Sequence, residues 1–292
     1  MNYLSYMITL KKITADKLKV LLLVLVSAPM LAHSQEILDH AYIRANYEFS
    51  YKTDPKQIEY SKTDLMYLDI GKKASKFYSR NEQIRDSIGE EGLQKGLSAF
   101  EINELRRGYP RGTRSVYYNL QNEKKRTETS NFVFLFTYYD ETIKIPQWKI
   151  ENDTKIISSY NCQKATAHYL GRDWTVYFAL EIPINQGPWK LWGLPGLIIQ
   201  ASDENNFFNY TLIGLKSLED KIPIVFVHTT HDGKNYTKND KTSFRKIEKL
   251  YHEDNNEFMD VYLGVKTIST SRADGSKIEG KSSIPHIPLE PW

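Results

Sequence analysis

The sequence predicts a mainly β, α+β fold: one antiparallel sheet, curved or closed as a half-open barrel, with two helical segments. Three observations carry this. Most segments alternate apolar and polar residues with a period of two, the pattern of half-buried strands. Only two stretches, 81–107 and 240–263, switch to helical spacing. The chain has one cysteine, Cys162, so no internal disulfide staples it and a sizeable core must hold it together.

The N-terminus reads as an export signal. Lys11, Lys12, Lys17 and Lys19 precede an apolar run over 20–26, and Ala32 and Ser34 stand at −3 and −1 of a cut before Gln35. Met7 is an alternative start. The expected organisation is a signal peptide over 1–34 and one β-rich domain over 35–292. The apolar run is too short to cross a bilayer, and so is the best later one, 131–139. The mature chain is therefore expected to lack a transmembrane span. The signal carries four Lys and one Asp; without it, 35 basic and 35 acidic residues remain of 39 and 36. The basic balance thus lies in the signal, and no basic stripe marks a nucleic-acid surface.

Along the chain, Ala41, Ile43, Ala45, Tyr47, Phe49 and Tyr51 share one face of a first strand. Segments 64–71 and 74–80 form a hairpin around Gly71. Glycines 89, 92 and 96 weaken the helix over 81–107 and break it into pieces. Strands follow at 113–120, 128–140 and 146–152. Next comes a hairpin that turns at Gly171, Arg172 and Asp173. In its first arm Ala165, Ala167 and Tyr169 are out of phase with Cys162, which implies a β-bulge near Gln163 and Lys164. Three further strands are read at 196–203, 206–218 and 222–228. The late helix starts at Asp240 or Thr242 and stops at Gly264. The Ser- and Pro-rich tail from Ser269 is expected to be extended.

The segment "GPWKLWGLPGLIIQASD" is a shaping element in this reading, with a secondary role as a binding loop. It lacks the Lys-Ser/Thr of a phosphate loop and leads into a strand. Gly187 and Pro188 make one kink. Pro195 and Gly196 suit the two central positions of a type II turn, where glycine accepts the positive φ. Between the kinks Trp189, Leu191 and Trp192 form an apolar arm. The candidate binding loop is Gly187, Pro188, Trp189, Trp192, Gly193, Leu194, Pro195, Gly196, Leu197 and Ile198.

Other chemistry is weakly marked. His228, His231 and Asp232, with His252 more distant, are the best metal candidates, but their spacing falls short of a zinc set. No cofactor is expected. No G-x-S-x-G occurs. Cys162 and His168 are too far apart on one arm to form a dyad, and Cys162 is expected to be a buried, unreactive thiol. Glu181, between Trp174 and Trp189 in the chain, is the best carboxylate for sugar chemistry.

Tyr160, Cys162, Lys164, Ala165, Gly171-Arg172, Ile182-Pro183, Gly187-Pro188 and the run from Gly193 to Ile198 together resemble the GLPGLI family of exported bacterial proteins. Trp148 before "KII" at 155–157 agrees; the end, "IPHIPLEPW", departs from the family's Asn-Pro-Leu type. The family has no established activity. The resemblance therefore implies export to the periplasm or envelope of a Gram-negative cell, or secretion beyond it, and assigns no catalytic residue. The element order is also similar to that of the lipoprotein-carrier fold. The functional expectation is a non-enzymatic envelope protein that binds an apolar ligand or a protein partner. A hydrolase with an unrecognised site and a structural or assembly factor are the alternatives.

Overall fold

The structure is a computed structural model that describes residues 35–230, 232–266 and 282–291. The expected signal peptide lies outside the described residues. The strands are β1 (Gln35–Tyr51), β2 (Lys62–Ile70), β3 (Ala74–Ser79), β4 (Val116–Leu120), β5 (Lys125–Phe132), β6 (Leu135–Thr142), β7 (Lys149–Ile157), β8 (Tyr160–Tyr169), β9 (Arg172–Ala179), β10 (Leu197–Asp203), β11 (Phe208–Val227) and β12 (Thr237–Lys238). The helices are α1 (Arg80–Gln94), α2 (Ala99–Arg106), α3 (Lys241–Glu253) and α4 (Asn255–Leu263). All strands join one 12-stranded sheet in the order β12-β6-β5-β4-β3-β2-β1-β11-β10-β9-β8-β7.

The sheet is open and mixed, which corrects the expectation of a purely antiparallel one. Two meanders, β1 to β6 and β7 to β11, are joined where β11 lies beside β1. The parallel pair is β12 with β6: two residues after the 228–236 turn run along the edge strand, Thr237 opposite Thr137.

The first helical segment is broken, as read from the sequence, into α1 and α2; the late one, read as a single helix, is split into α3 and α4. Within the first segment Ser98 caps α2 with a capping box to Glu101. Gly89 and Gly92 are packing residues: a Cβ on Gly89 would lie 2.0 Å from the Arg106 guanidinium, and one on Gly92 2.6 Å from Ile102, whereas Gly96 takes a left-handed φ of +72 just past α1. Asp240 caps α3, Asp254 splits the late segment, and Gly264 ends α4 at φ +64.

Three strand boundaries differ from the expectation. The run 128–140 is a hairpin, β5–β6, turning at Val133, which holds a left-handed φ of +62. Residues 149–152 of one predicted strand and 155–157 of the next belong to one strand, β7, which turns into β8 through Ser158 and Ser159 at φ +49 and +71. The last two predicted strands are one, the 20-residue β11. The tight turn before β9 is Leu170-Gly171, both with positive φ, so Arg172 and Asp173 sit in the strand. The irregularity near Cys162 lies in β7, between Ile150 and Thr154, while β8 pairs β9 without a break. Cys162 and Ala165 are both fully buried at positions of opposite parity, because both faces of the sheet are covered there.

The main core gathers Tyr47, Phe49, Met66, Phe77, Trp174, Phe178, Trp189, Leu191 and the β10 residues Leu197, Ile198 and Ile199. A second cluster seats Phe244, Ile247 and Phe258 of α3 and α4 on Phe132 and Tyr139. Tyr118, Ile224 and Phe226 with Ala41 form a third on the opposite face. Burying apolar area at about 25 cal/mol per Å² makes these clusters the main source of stability.

Candidate functional site: a buried ionic cluster beside an aromatic cavity

The arm 187–196 is bent by three glycines for two different reasons. Gly193 takes a φ of +92, which disfavours any side chain with a Cβ. Gly196 has no positive φ. It is needed because a Cβ there would lie 2.1 Å from the Ala179 carbonyl oxygen. Gly187 is similar: its Cβ would meet Ile198 Cδ1 at 2.7 Å and the Leu191 carbonyl at 2.8 Å. The type II turn expected at Pro195-Gly196 is thus corrected to a close backbone approach. Pro188 accepts a hydrogen bond from Leu191 N at 3.1 Å, and Trp189 between them holds a left-handed φ of +55. That backbone costs on the order of 1–3 kcal/mol and persists because the surroundings fix it. Trp189 is buried 5.4 Å from Trp174 and 6.4 Å from Tyr169, centroid to centroid. Leu191, Leu194, Leu197 and Ile198 are also buried, Trp192 is half-buried, and Pro195 is exposed.

The residue between the two tryptophans defines the site. Lys190 is fully buried. Its Nζ lies 2.9 Å from Glu128, 2.9 Å from Glu141 and 3.0 Å from Glu290, and donates to the Tyr139 hydroxyl at 2.8 Å. The β5–β6 register supplies this surround by pairing Glu128 with Tyr139 and Arg126 with Glu141. Helix α3 adds Lys241, Arg245 and Glu248. Arg245 reaches Glu128 at 3.0 Å, Glu248 at 2.7 Å and Glu290 at 2.9 Å; Lys241 pairs with Glu141 at 2.8 Å and with Glu290. Buried Arg126 donates to Asn119 at 2.6 Å and to the Lys190 carbonyl at 3.3 Å. Four cations thus face four carboxylates.

The fields inside the cluster push its acids apart. Burial alone would raise Glu128, but the Arg245 and Lys190 charges and the Tyr139 hydrogen bond hold it down to about 2. Glu248, also buried, is raised, because Arg245 offsets its desolvation only in part and Glu128 repels it. Burial and the Glu128 charge raise Tyr139, which stays protonated and donates to Glu128 at 2.6 Å.

One side of the cluster opens on a cavity of about 310 Å³. Phe49, Phe77, Tyr117, Trp189, Phe208 and Tyr210 line it, together with Arg245, Glu128, Glu248 and Glu290 of the cluster. The tail closes it. Arg172, paired with Asp203 at 3.0 Å, donates to the Leu289 and Pro288 carbonyls at 2.9 and 2.5 Å. Ile284 N donates to the His252 carbonyl at 2.8 Å, and the rings of His252 and His286 stack at 3.8 Å.

Of the motif residues singled out from the sequence, Trp189 lines the cavity and the others do not. His228 lies 3.4 Å from Glu36 and Asp232 is paired with Lys234 at 3.0 Å, while His231 lies outside the described residues. Among the described residues no group of three or more His, Cys, Asp or Glu is placed to hold a metal. His252 is on α3 at the cavity rim. Cys162 is buried and its thiol is pushed up by desolvation. Exposed His168 pairs with Asp173 at 2.7 Å, and exposed Glu181 accepts from Asn161 N at 3.2 Å; neither reaches the cluster. Sequence reasoning missed Lys190, Glu128, Glu141, Arg245 and Glu290. The available signal was Lys190 itself, the one charge in the apolar run 187–199.

Comparison with known proteins adds a family without an activity. The family described as "Protein of unknown function (Porph_ging)" matches residues 170–200, the stretch that contains the motif at 193–198. No curated protein matches the chain. Structures of PNGF-II in the C2 and P21 space groups resemble it with TM-scores of 0.45 and 0.44 at 12% and 11% identity. Each match covers 70% of this chain and 32% of the PNGF-II chain, so this chain spans about a third of their length. A likeness this low transfers no residue role.

Proposed function

We propose that the chain is an exported, non-enzymatic binding protein of the periplasm or cell envelope, whose cavity takes a small amphipathic ligand. The observation that carries this is a cavity lined both by aromatic rings and by charged groups of the cluster, the usual composition of a ligand site. An apolar body stacks on Phe49, Phe77, Tyr117 and Tyr210, and a polar head meets Arg245 and Glu248. The cluster's carboxylates are already satisfied by cations, which suits holding a ligand better than attacking one. The lysine-flanked apolar run before Gln35 supports export. Trp189 in the cavity wall supplies the readout. Titration with octanol is expected to change tryptophan fluorescence saturably with one site per chain. A linear, unsaturable response would sink the reading.

A second reading, a hydrolase, rests on one observation. Glu128 is held ionised at about 2 while Glu248 is raised, and both contact Arg245 at the cavity wall. Environments that separate two carboxyl groups in this way suit an acid–base pair. Turnover of chromogenic esters or glycosides that disappears in a folded Glu248→Gln variant would favour it.

A further inference from the structure

Three cations converge on Glu290, a residue of the last irregular segment. Lys190 Nζ lies 3.0 Å from it, Arg245 Nη2 2.9 Å, and Lys241 is in contact. Glu290 also lines the cavity, with Ile284, Pro285, His286, Ile287 and Leu289. We infer that Lys190, Lys241 and Arg245 form a carboxylate-binding site that Glu290 fills in cis, and that the cavity's ligand is a carboxylate-bearing amphiphile that enters by displacing the tail.

Charge arithmetic supports this. With Glu290 in place, Arg126, Lys190, Lys241 and Arg245 balance Glu128, Glu141, Glu248 and Glu290. Without it the buried cluster keeps one excess positive charge next to an aromatic cavity, and an uncompensated buried charge demands a counter-ion. Arg245 is the cation that both lines the cavity and touches Glu290, so a ligand head meets it first.

The tail is built to detach as a unit. It joins no helix or strand, and Ile287 is its one deeply buried apolar side chain among the described residues. Beside the Glu290 ion pairs and the His252–His286 stack, it is held by main-chain hydrogen bonds: Arg172 to the carbonyls of Pro288 and Leu289, Ile284 N to the His252 carbonyl, and Asn255 N to the Ser282 carbonyl at 2.7 Å. An irregular segment outside the strand ladders opens at lower free energy than the sheet. Glu290 is then both the cavity's plug and a stand-in for the ligand's own head group.

The inference rests on the binding reading above, and octanol separates the two. Octanoate, octanol and octylamine are titrated into the full chain and its Glu290→Gln variant. Octanoate is expected to bind the variant at least about tenfold more tightly than the parent, with octanol unchanged and octylamine weaker than either. In the parent, octanoate is also expected to accelerate hydrogen exchange over residues 282–291, which octanol leaves unaltered. That arm decides the matter if the variant does not fold. Octanol binding both proteins, with no gain for octanoate and no tail opening, overturns the carboxylate latch and leaves the cavity reading standing. Failure of every probe on both proteins overturns both.

Discussion

Lys190 is the residue on which the site depends. A fully buried ammonium is tolerated only when its charge is matched, and here three carboxylates and a phenol do so. Lys190→Met is expected to cost about 3–5 kcal/mol in denaturant unfolding, because it strands Glu128, Glu141 and Glu290 rather than removing a self-contained pair. A loss below about 1 kcal/mol would mean that the carboxylates relax onto Arg245 and Lys241. Gly196→Ala is expected to cost about 1–3 kcal/mol, since the new methyl drives the arm off the Ala179 carbonyl; an unchanged thermal midpoint would show that the arm has slack. At this scale the sequence was legible in part. Glycines and prolines announced that the chain bends at 187–196, but φ preference was the wrong reason for Gly196. A close approach to residue 179 is a tertiary fact with no local signature. Likewise Lys190 stood out only as one charge among tryptophans, and its partners come from segments 49 to 100 residues away in the chain.

The elements that build the site are the β5–β6 hairpin, α3 and the tail. The hairpin was read as one strand because its turn carries Val133 and Phe134, with none of the Gly, Asn or Asp that marks a reversal. A β-branched residue at φ +62 is locally unfavourable, so tertiary packing on Phe132 and Tyr139 wins over propensity. Helix α3 was legible because its apolar stripe and Asp240 cap are local signals. The tail was legible as irregular but not as part of the site, since its partners, among them Arg172 of β9 and Lys190 of the arm, lie far back in the chain. Arg172→Gln is expected to raise hydrogen-exchange rates across 282–291 by about tenfold or more, against a change of less than about twofold at β8 and β9. Equal acceleration everywhere would indicate global destabilisation instead.

For the whole molecule, the half-buried histidines and the buried carboxylates set a pH dependence. Burial lowers His252 to about 4 and His286 to about 3 from an ordinary 6.5. As pH falls below 6.5 the unfolded chain takes up protons that the fold refuses, so stability declines through that window. A second loss follows between the ordinary 4.5 and about 2, where Glu128 must be protonated; Glu141 and Glu290, lowered by Lys190 and their other cation neighbours against burial, act in the same sense. Glu248, raised by burial, works in the opposite direction. Urea midpoints are therefore expected to fall steadily from pH 7 to pH 4 and more steeply below; a flat profile over the upper range would remove the histidines from the account. The β-rich class and both helical segments were readable from periodicity alone. The mixed, open 12-stranded order was not, because the chain crosses from β6 near one edge of the sheet to β7 at the other, and the β1–β11 and β12–β6 pairings are long-range.

Native mass spectrometry of the protein recovered from exporting cells tests the binding function most directly. The predicted spectrum shows the chain beginning at Gln35 with one bound small molecule, released on unfolding and carrying a carboxylate. A spectrum of the bare chain in every preparation, with no adduct under conditions that preserve the fold, would contradict it.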